Sequence, residues 1–419
     1  MIRFQHSAEQ AITEFEFLQA QVLAAREGIV HANSSETFLG LGDLHQVSIG
    51  ALGDTIRIPW ETVLGPDVAG QSPIRAAIAV PFQSSDQIQV LVPSLQIISK
   101  GGAATLVAYG VDTAGVRSDI DTLLTRLAAV EPIDHRPSSV RVLEEQPDSA
   151  AYEQSVSGAL QAIASGSLKK VVLARALQIV SEYPLDAAAV MTRMQEREPT
   201  CTLYAFPIPH ECRVVGASPE LLLSKEGTIV ESNPLAGTID LTGDEDPVTL
   251  TNSLKDREEH RLVVDQIALG LTPLVTDLTV PETPSLVSLH AVAHLGTRIT
   301  GDLGTSDASL TALDLLHAIH PTPAIAGVPA ATAIELIGDL EPFDRGFFGG
   351  AFGWVDSSGD GEFVLGIRGV WIQGDSLWLA AGAGIVAGST PEGERRETFA
   401  KLRSILDAAV PSSGNLLTR

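Results

Sequence analysis

The spacing of apolar residues along this chain constrains its fold more than any other feature. Runs with strand periodicity and runs with helix periodicity are mixed, without the regular βα alternation that a parallel sheet requires. Candidate strands lie at Thr37–Leu41, Arg75–Phe82, Ile88–Val92 and Thr105–Tyr109, punctuated by Gly, Pro, Ser and Asp. The spacing predicts helices over 7–27, with Ser7 as cap and Gln10 three positions on, and over 116–130. Residues 131–149 are rich in Pro and charge and read as a connection, with a short strand at Val140–Val142. The remainder is denser. Helices are predicted at Tyr152–Gly166, Asp186–Arg197, Ser253–Leu271, Leu310–His317 and Glu392–Ala409. Strands are predicted at Lys169–Val180, Thr202–Phe206, Val214–Ala217, Leu221–Lys225, Gly350–Val355, Glu362–Ile372 and Ser376–Ala381. The pattern predicts an α+β protein with mainly antiparallel strands. Its 419 residues allow roughly two to three domains or one large unit.

Composition excludes several function classes. With Lys+Arg 27 against Asp+Glu 52, the formal charge is −25. Such a surface repels phosphate backbones and anionic headgroups, so neither nucleic acid nor a membrane surface is an expected partner. An anionic substrate would need a locally basic or metal-bearing pocket. Cys201 and Cys212 are too few for a disulfide framework or a zinc cluster and suit a reducing cytoplasm, with a single bridge left open. The N-terminal stretch lacks the basic and apolar regions of a signal peptide, and no run is long and apolar enough for a transmembrane helix.

Several residues could carry chemistry. Asp256 and Glu259 share one helix face, as do Glu394, Glu397 and Lys401. Two helices each presenting two carboxylates could hold a hard divalent cation such as Mg²⁺, or they could be solvated faces with local ion pairs. Lys170 alternates onto the face of Val172 and Ala174, so it is either a snorkelling edge residue or a desolvated amine suited to act as a base. Glu220, ahead of an apolar strand, is a turn residue or a semi-buried acid with a raised pKa. Two Gly-rich segments, Pro234–Thr238 and Gly382–Ile385, read as turns whose N–H groups could grip a carboxylate. Arg368 is a lone cation in an apolar strand and suits a buried carboxylate. His294 and His320 read as hydrogen-bonded core or turn residues.

In order, the strings KKVVLAR, ASPELLL, PLAGT, KDREEH, HLGT, HPTPAIAGVP, EPFDRGFFGG, GIRG and GAGIVAGSTPEGERRE run from about residue 150 to 410. This series resembles the chorismate-utilising enzymes, and among them most the isochorismate synthases. The resemblance implies one α+β unit over 1–419 with a large two-layer, mainly antiparallel sheet core and flanking helices. Residues 150–410 would form its motif-bearing catalytic part and 1–149 a variable N-terminal part. The substrate implied is chorismate, a dicarboxylate, with Mg²⁺ as cofactor. Carried over motif by motif, Lys170 resembles the base that activates water for attack at C2, and Glu220 the acid that protonates the departing C4 hydroxyl. Glu259 and Glu397 resemble the metal ligands, with Asp256 and Glu394 beside them. Gly237, Thr238, Arg368, Gly382, Gly384 and Lys401 resemble substrate-gripping positions, with His294 and Ala324 lining the ring site.

Lys170, Ala236 and Ala324 together favour isochorismate over the products of relatives. The alternative is a salicylate synthase, which forms isochorismate and then eliminates pyruvate. Gly346-Phe347 departs from relatives that often carry a longer side chain there. Menaquinone and siderophore pathways both begin with this product. A cytoplasmic monomer without an amidotransferase subunit is expected, because water chemistry needs no ammonia donor.

Overall fold

The computed structural model describes residues 6–47, 58, 60, 73–83, 86–136, 138–241, 246–304 and 309–410. Eighteen described strands form one network, a second sheet has three strands, and every named strand pairing is antiparallel. At its centre the strand Lys170–Ser181 pairs along its whole length with Ser376–Val386, from Val180 opposite Ser376 to Lys170 opposite Val386. Its other edge is covered only at the ends, by Val140–Gln146 and by the two-residue strand Gly327–Val328. Thr202–Ile208 and Cys212–Ser218 form a hairpin joined through Gly369–Gln373 to Ser376–Val386.

The N-terminal segments are woven into the same sheet. Ile29–Ala32 pairs with Thr202–Ile208, and Arg75–Val80 pairs with Ala351–Asp356. The two large apolar clusters likewise draw on both parts. One joins Ile78, Val90 and Tyr109 to Val172, Phe352 and Ile385, and the other joins Leu23 and Ile97 to Leu379 and Leu406. Burial on this scale, at roughly 25 cal/mol per Å² of apolar surface, is the main force holding the fold together.

The small sheet, Leu235–Asp240, Ser285–Ser288 and Val292–Gly296, matters most for the site. The helices Leu254–Leu271 and Pro391–Ala409 both pack on its first strand. Each begins at a hydroxyl cap. Ser253 accepts from the Asp256 N–H, and Thr390 accepts from the Gly393 N–H with Pro391 in the first turn.

Four expectations from sequence are corrected. Residues His6–Ala11 form a strand against Ala103–Gly110, and the helix runs over Glu14–Glu27. Thr13 and Glu16 make a reciprocal capping box, which outcompetes Ser7 as the start signal. The Gly-rich segments are not turns. Leu235–Asp240 is a strand, bulged at Gly237, and Gly382–Ile385 lies inside Ser376–Val386. The strand expected at Glu362–Ile372 is split into Gly361–Leu365 and Gly369–Gln373 by Arg368, whose φ is +55°. The helix Ala330–Leu340, which was not anticipated, follows the HPTPA segment. Both cysteines are free, with Cys201 buried and its thiol pushed up to about 12 by burial. Among the described residues, no helix is long and apolar enough to cross a membrane.

Candidate active site

A narrow pocket opens between the small sheet, the two capped helices and the Ser376–Val386 strand. Its wall includes Glu220, Gly237, Thr238, Glu259, His294, Ala324, Arg368, Gly382, Gly384 and Lys401. Residues scattered over more than 180 positions of sequence therefore meet at one place. Lys170, Asp256, Glu394 and Glu397 are not on that wall and lie behind it. The apolar lining, Val172, Leu235, Ile325, Phe348, Leu365, Ile367 and Ile405, carried no functional signal in the sequence, because such residues are indistinguishable from core.

Lys170 opens the central strand and is fully buried, which selects the desolvated alternative over the snorkelling one. It is not surrounded by apolar groups alone. Its Nζ lies 3.0 Å from Glu259 Oε1. Gly384 makes that contact possible, since a Cβ there would fall 2.0 Å from Glu259 Oε1 and 3.0 Å from Lys170 Cε. Gly237 is required for two reasons. Its φ is +72°, and a Cβ would come within 2.9 Å of the Asp256 Cβ.

The glycines at 382 and 384 keep part of the role expected of them, by another route. Val172 sends its N–H to Ala326 O, and Ala174 sends its N–H to Glu341 Oε1, so both turn away from the neighbouring strand. Their opposite numbers Gly384 and Gly382 therefore also point outward, toward the open edge beyond the end of Gly369–Gln373. Gly382 O accepts from Lys401 Nζ at 2.9 Å.

Glu220 fills the two-residue gap between Cys212–Ser218 and Leu221–Glu226. Its side chain is buried, and Oε1 has no hydrogen-bond partner. Burial pushes its carboxyl up to about 8, against the opposing pull of Lys170, the Leu235 N–H and Lys401. Glu220 is thus a buried, raised acid rather than a simple turn residue.

The carboxylates of the two helices lie among lysines, and the balance of burial and charge differs from one to the next. Glu259 pairs with Lys170, Glu394 with Lys255 at 2.9 Å, and Glu397 with Lys401 at 2.6 Å. Glu394 is raised to about 7 by burial and by the nearby Glu397, with Lys255 opposing. Burial also acts on Glu397, but Lys401, Lys255 and the Thr238 hydroxyl outweigh it and hold that carboxyl low. Asp256 is raised, by burial first and then by Glu259 and Glu397, against Ser253 and Lys255. Among the described residues no three metal-binding side chains converge into a ready-made ion site. Two observations nonetheless suit a hard cation here. The donors are all carboxylate oxygens from two facing helices, and Glu394 Oε2 is buried without a partner.

At the opposite wall, His294 is buried and neutral. Burial, and then Arg368 and Lys401, hold its pKa well below the usual histidine range. Its Nδ1–H donates to Gly237 O at 3.1 Å, leaving Nε2 as acceptor for Arg368 Nη2 at 3.2 Å. Arg368 is held in the left-handed backbone region, a conformation costing on the order of 1 kcal/mol or more outside glycine. His320 is a core residue, as expected, with Nε2 near Pro81 O at 3.4 Å.

A sheet of this size, closed by two capped helices over a pocket with a buried lysine, an isolated acid and a fixed guanidinium, defines an enzyme for a small anionic substrate. Residues 78–410 match the family model for chorismate binding enzymes, and the chain belongs to that family. It is 42% identical over 273 residues to isochorismate synthase DhbC of Bacillus subtilis, covering 62% of this chain and 68% of that one. Among solved structures it is similar to the putative 2,3-dihydroxybenzoate-specific isochorismate synthase DhbC from Bacillus anthracis. That likeness has a TM-score of 0.78 at 30% identity, over 94% of this chain and 99% of the other. It is also similar to MenF, the menaquinone-specific isochorismate synthase from Escherichia coli, with a TM-score of 0.78 at 27% identity over 97% and 96% of the two chains.

Proposed function

We propose that this protein is an isochorismate synthase, which adds water at C2 of chorismate while the C4 hydroxyl departs. One observation carries the assignment of roles: two buried ionisable groups near one cavity, Lys170 and Glu220, sit in different environments, the first with a carboxylate 3.0 Å from its Nζ and the second with one oxygen unpartnered and its carboxyl raised by burial. Lys170 Nζ, acting as the neutral amine, takes a proton from the attacking water. Glu259, 3.0 Å away, stabilises the ammonium that results. Glu220 gives its proton to the leaving hydroxyl, and the ring double bonds shift between the two carbons. One water enters and one leaves, so substrate and product are isomers.

Arg368, Lys401 and the outward N–H groups of Gly382 and Gly384 bind the substrate carboxylates. His294 and Thr238 orient the ring side of the pocket, and Ala324 leaves room beside it. Asp256, Glu259, Glu394 and Glu397 would hold Mg²⁺, which supplies positive charge against a substrate carboxylate when bound. The positive groups offset both the substrate's charge and the protein's own −25. We read residues 1–149 and 150–410 as one unit, working as a cytoplasmic monomer without an amidotransferase partner.

Incubation of the purified protein with chorismate and Mg²⁺, followed by chromatography, should give isochorismate. Failure to turn over, or an aminated product formed only with ammonia, refutes the assignment. Release of pyruvate identifies a salicylate synthase instead.

A further inference from the structure

The EPFDR string has no role in the chemistry above, yet it makes the densest buried polar contact near the site. The central strand Lys170–Ser181 has a hole in its ladder. Gly327–Val328 covers Lys170 and Val171, Val140–Gln146 reaches only to Ala176, and among the described residues no strand pairs with the outer edge of Val172–Ala174. Buried backbone groups left that way carry a desolvation penalty. The Val172 N–H goes to Ala326 O, and two side chains meet the Val172 carbonyl and the Ala174 N–H. Glu341 Oε1 accepts the Ala174 N–H at 2.7 Å, and Arg345 Nη2 donates to Val172 O at 2.9 Å. The pair is itself joined twice, Nε to Oε2 at 2.8 Å and Nη2 to Oε1 at 2.5 Å. Arg345 Nη1 also donates to Ile325 O at 2.8 Å, next to Ala324, and the guanidinium lies 4.4 Å from the Phe82 ring centroid. Both side chains are 3% exposed.

We propose that Arg345, acting through Glu341, is a positioning residue for the reaction: together they replace the missing strand beside Lys170 and fix that strand's distance from the Ala324–Ile325 wall. Stability alone is a poor reason for such an arrangement, because a buried ion pair is often no better than well-packed apolar residues of similar volume. A fixed planar fork reaching two backbone carbonyls and one carboxylate does supply a geometry that apolar packing lacks. Misplacing a reacting group by about 1 Å can cost about a hundredfold in rate. Arg368 and Lys401, the charged groups assigned to substrate binding, are not among the pair's partners, so the larger effect should fall on the chemical step.

The inference rests on the isochorismate synthase assignment, and wild-type turnover to isochorismate tests that assignment separately in the same assay. The variants are Arg345→Lys, which keeps the charge but not the fork, and Glu341→Gln, which keeps an acceptor for Ala174. Folded variants should lose about ten- to a hundredfold in kcat, with KM within about threefold of wild type. A wild-type kcat in either folded variant overturns the proposal, as does a loss confined to KM. Failure of both variants to fold also overturns it, by assigning the pair to stability instead.

Discussion

Glu220 and the helix carboxylates are buried in the same protein, yet their chemistry diverges. Glu220 stands alone, with an unpartnered oxygen, and burial drives its carboxyl up to about 8. Glu397 is mostly covered, and Lys401 at 2.6 Å and Lys255 help hold its carboxyl low. Where burial outweighs the neighbouring cations, as at Glu220 and also at Glu394 despite Lys255, the carboxyl is raised, whereas at Glu397 the two lysines and the Thr238 hydroxyl outweigh burial and hold an anion. The cavity thus has an acid end and a charge-paired end, and each kind of group suits the task proposed for it.

The largest effect is expected at the charge-paired end. Lys170→Ala should fold and lose water addition by about 10³-fold, within the range for removing a general base. Steady-state turnover of chorismate measures it. Activity within about threefold of wild type would mean that the two ends do not divide the proton work. Such a truncation also leaves Glu259 buried without its partner, so the melting temperature should fall as well.

At the acid end, Glu220→Gln should cost about 10²-fold in kcat. The pH profile is the sharper measurement. The acid works only while protonated, so wild-type activity should decline as pH rises through about 8. The variant's residual activity should lack that limb. Stability has a matching sign. The folded carboxyl is raised above its unfolded value, so the folded state binds more protons between those values. Its contribution is therefore fully present below about pH 4.5 and is lost as pH rises toward about 8. Glu220→Gln should gain melting temperature relative to wild type over that interval. A constant difference would show that Glu220 is ionised throughout.

The divergence between the two ends was only half visible in the sequence. Helical spacing put Asp256 with Glu259, and Glu394 with Glu397 and Lys401, on shared faces, and one member of each grouping, Glu259 and Lys401, reaches the cavity wall. Spacing within one helix says nothing about what stands opposite. The pairing of Lys170 with Glu259 and of Lys255 with Glu394 joins segments 89 and 139 positions apart, and was not legible. The order of the motifs picked out the polar and glycine part of the cavity lining, with Ala324, but not its apolar part. It misjudged the backbone at two glycine-rich segments, because glycine marks close approach inside a strand as readily as it marks a turn. The strand break at Arg368 was also missed, since nothing in GIRG announces a positive φ on the arginine rather than on a glycine. The start of the first helix was misplaced because two plausible caps lay six residues apart and only the Thr13–Glu16 box closes reciprocally.

A smaller effect is expected from Gly384→Ala. The new Cβ would overlap Glu259 Oε1, so the carboxylate must move and the Lys170 contact must lengthen. Overpacking of this kind costs about 1–3 kcal/mol, read as a lower denaturation midpoint. The equivalent change at Gly338, inside the helix Ala330–Leu340, where a Cβ meets nothing within 4 Å, should raise the midpoint slightly, by about 0.5–1 kcal/mol, and serves as the control. Equal stability for both variants would show that Glu259 is free to relocate, and that the charge-paired end is less rigid than its contacts imply.

The smallest effect concerns Lys255, the most exposed of the three paired lysines, with 30% of its side chain accessible. It neutralises Glu394 from outside, where solvent weakens the interaction. Lys255→Met removes one positive charge from the carboxylate cluster and adds none, so a divalent cation should bind more tightly. The gain is about 1 kcal/mol at low salt, a few-fold in affinity, for a partly exposed charge a few ångströms away. Raising the salt to about 0.5 M should shrink it, as screening shortens the reach of an exposed charge. Calorimetric titration with Mg²⁺ measures both. Weaker binding in the variant would mean that Lys255 organises Glu394 for the ion instead of competing with it, and that charge count alone does not govern this end of the cavity.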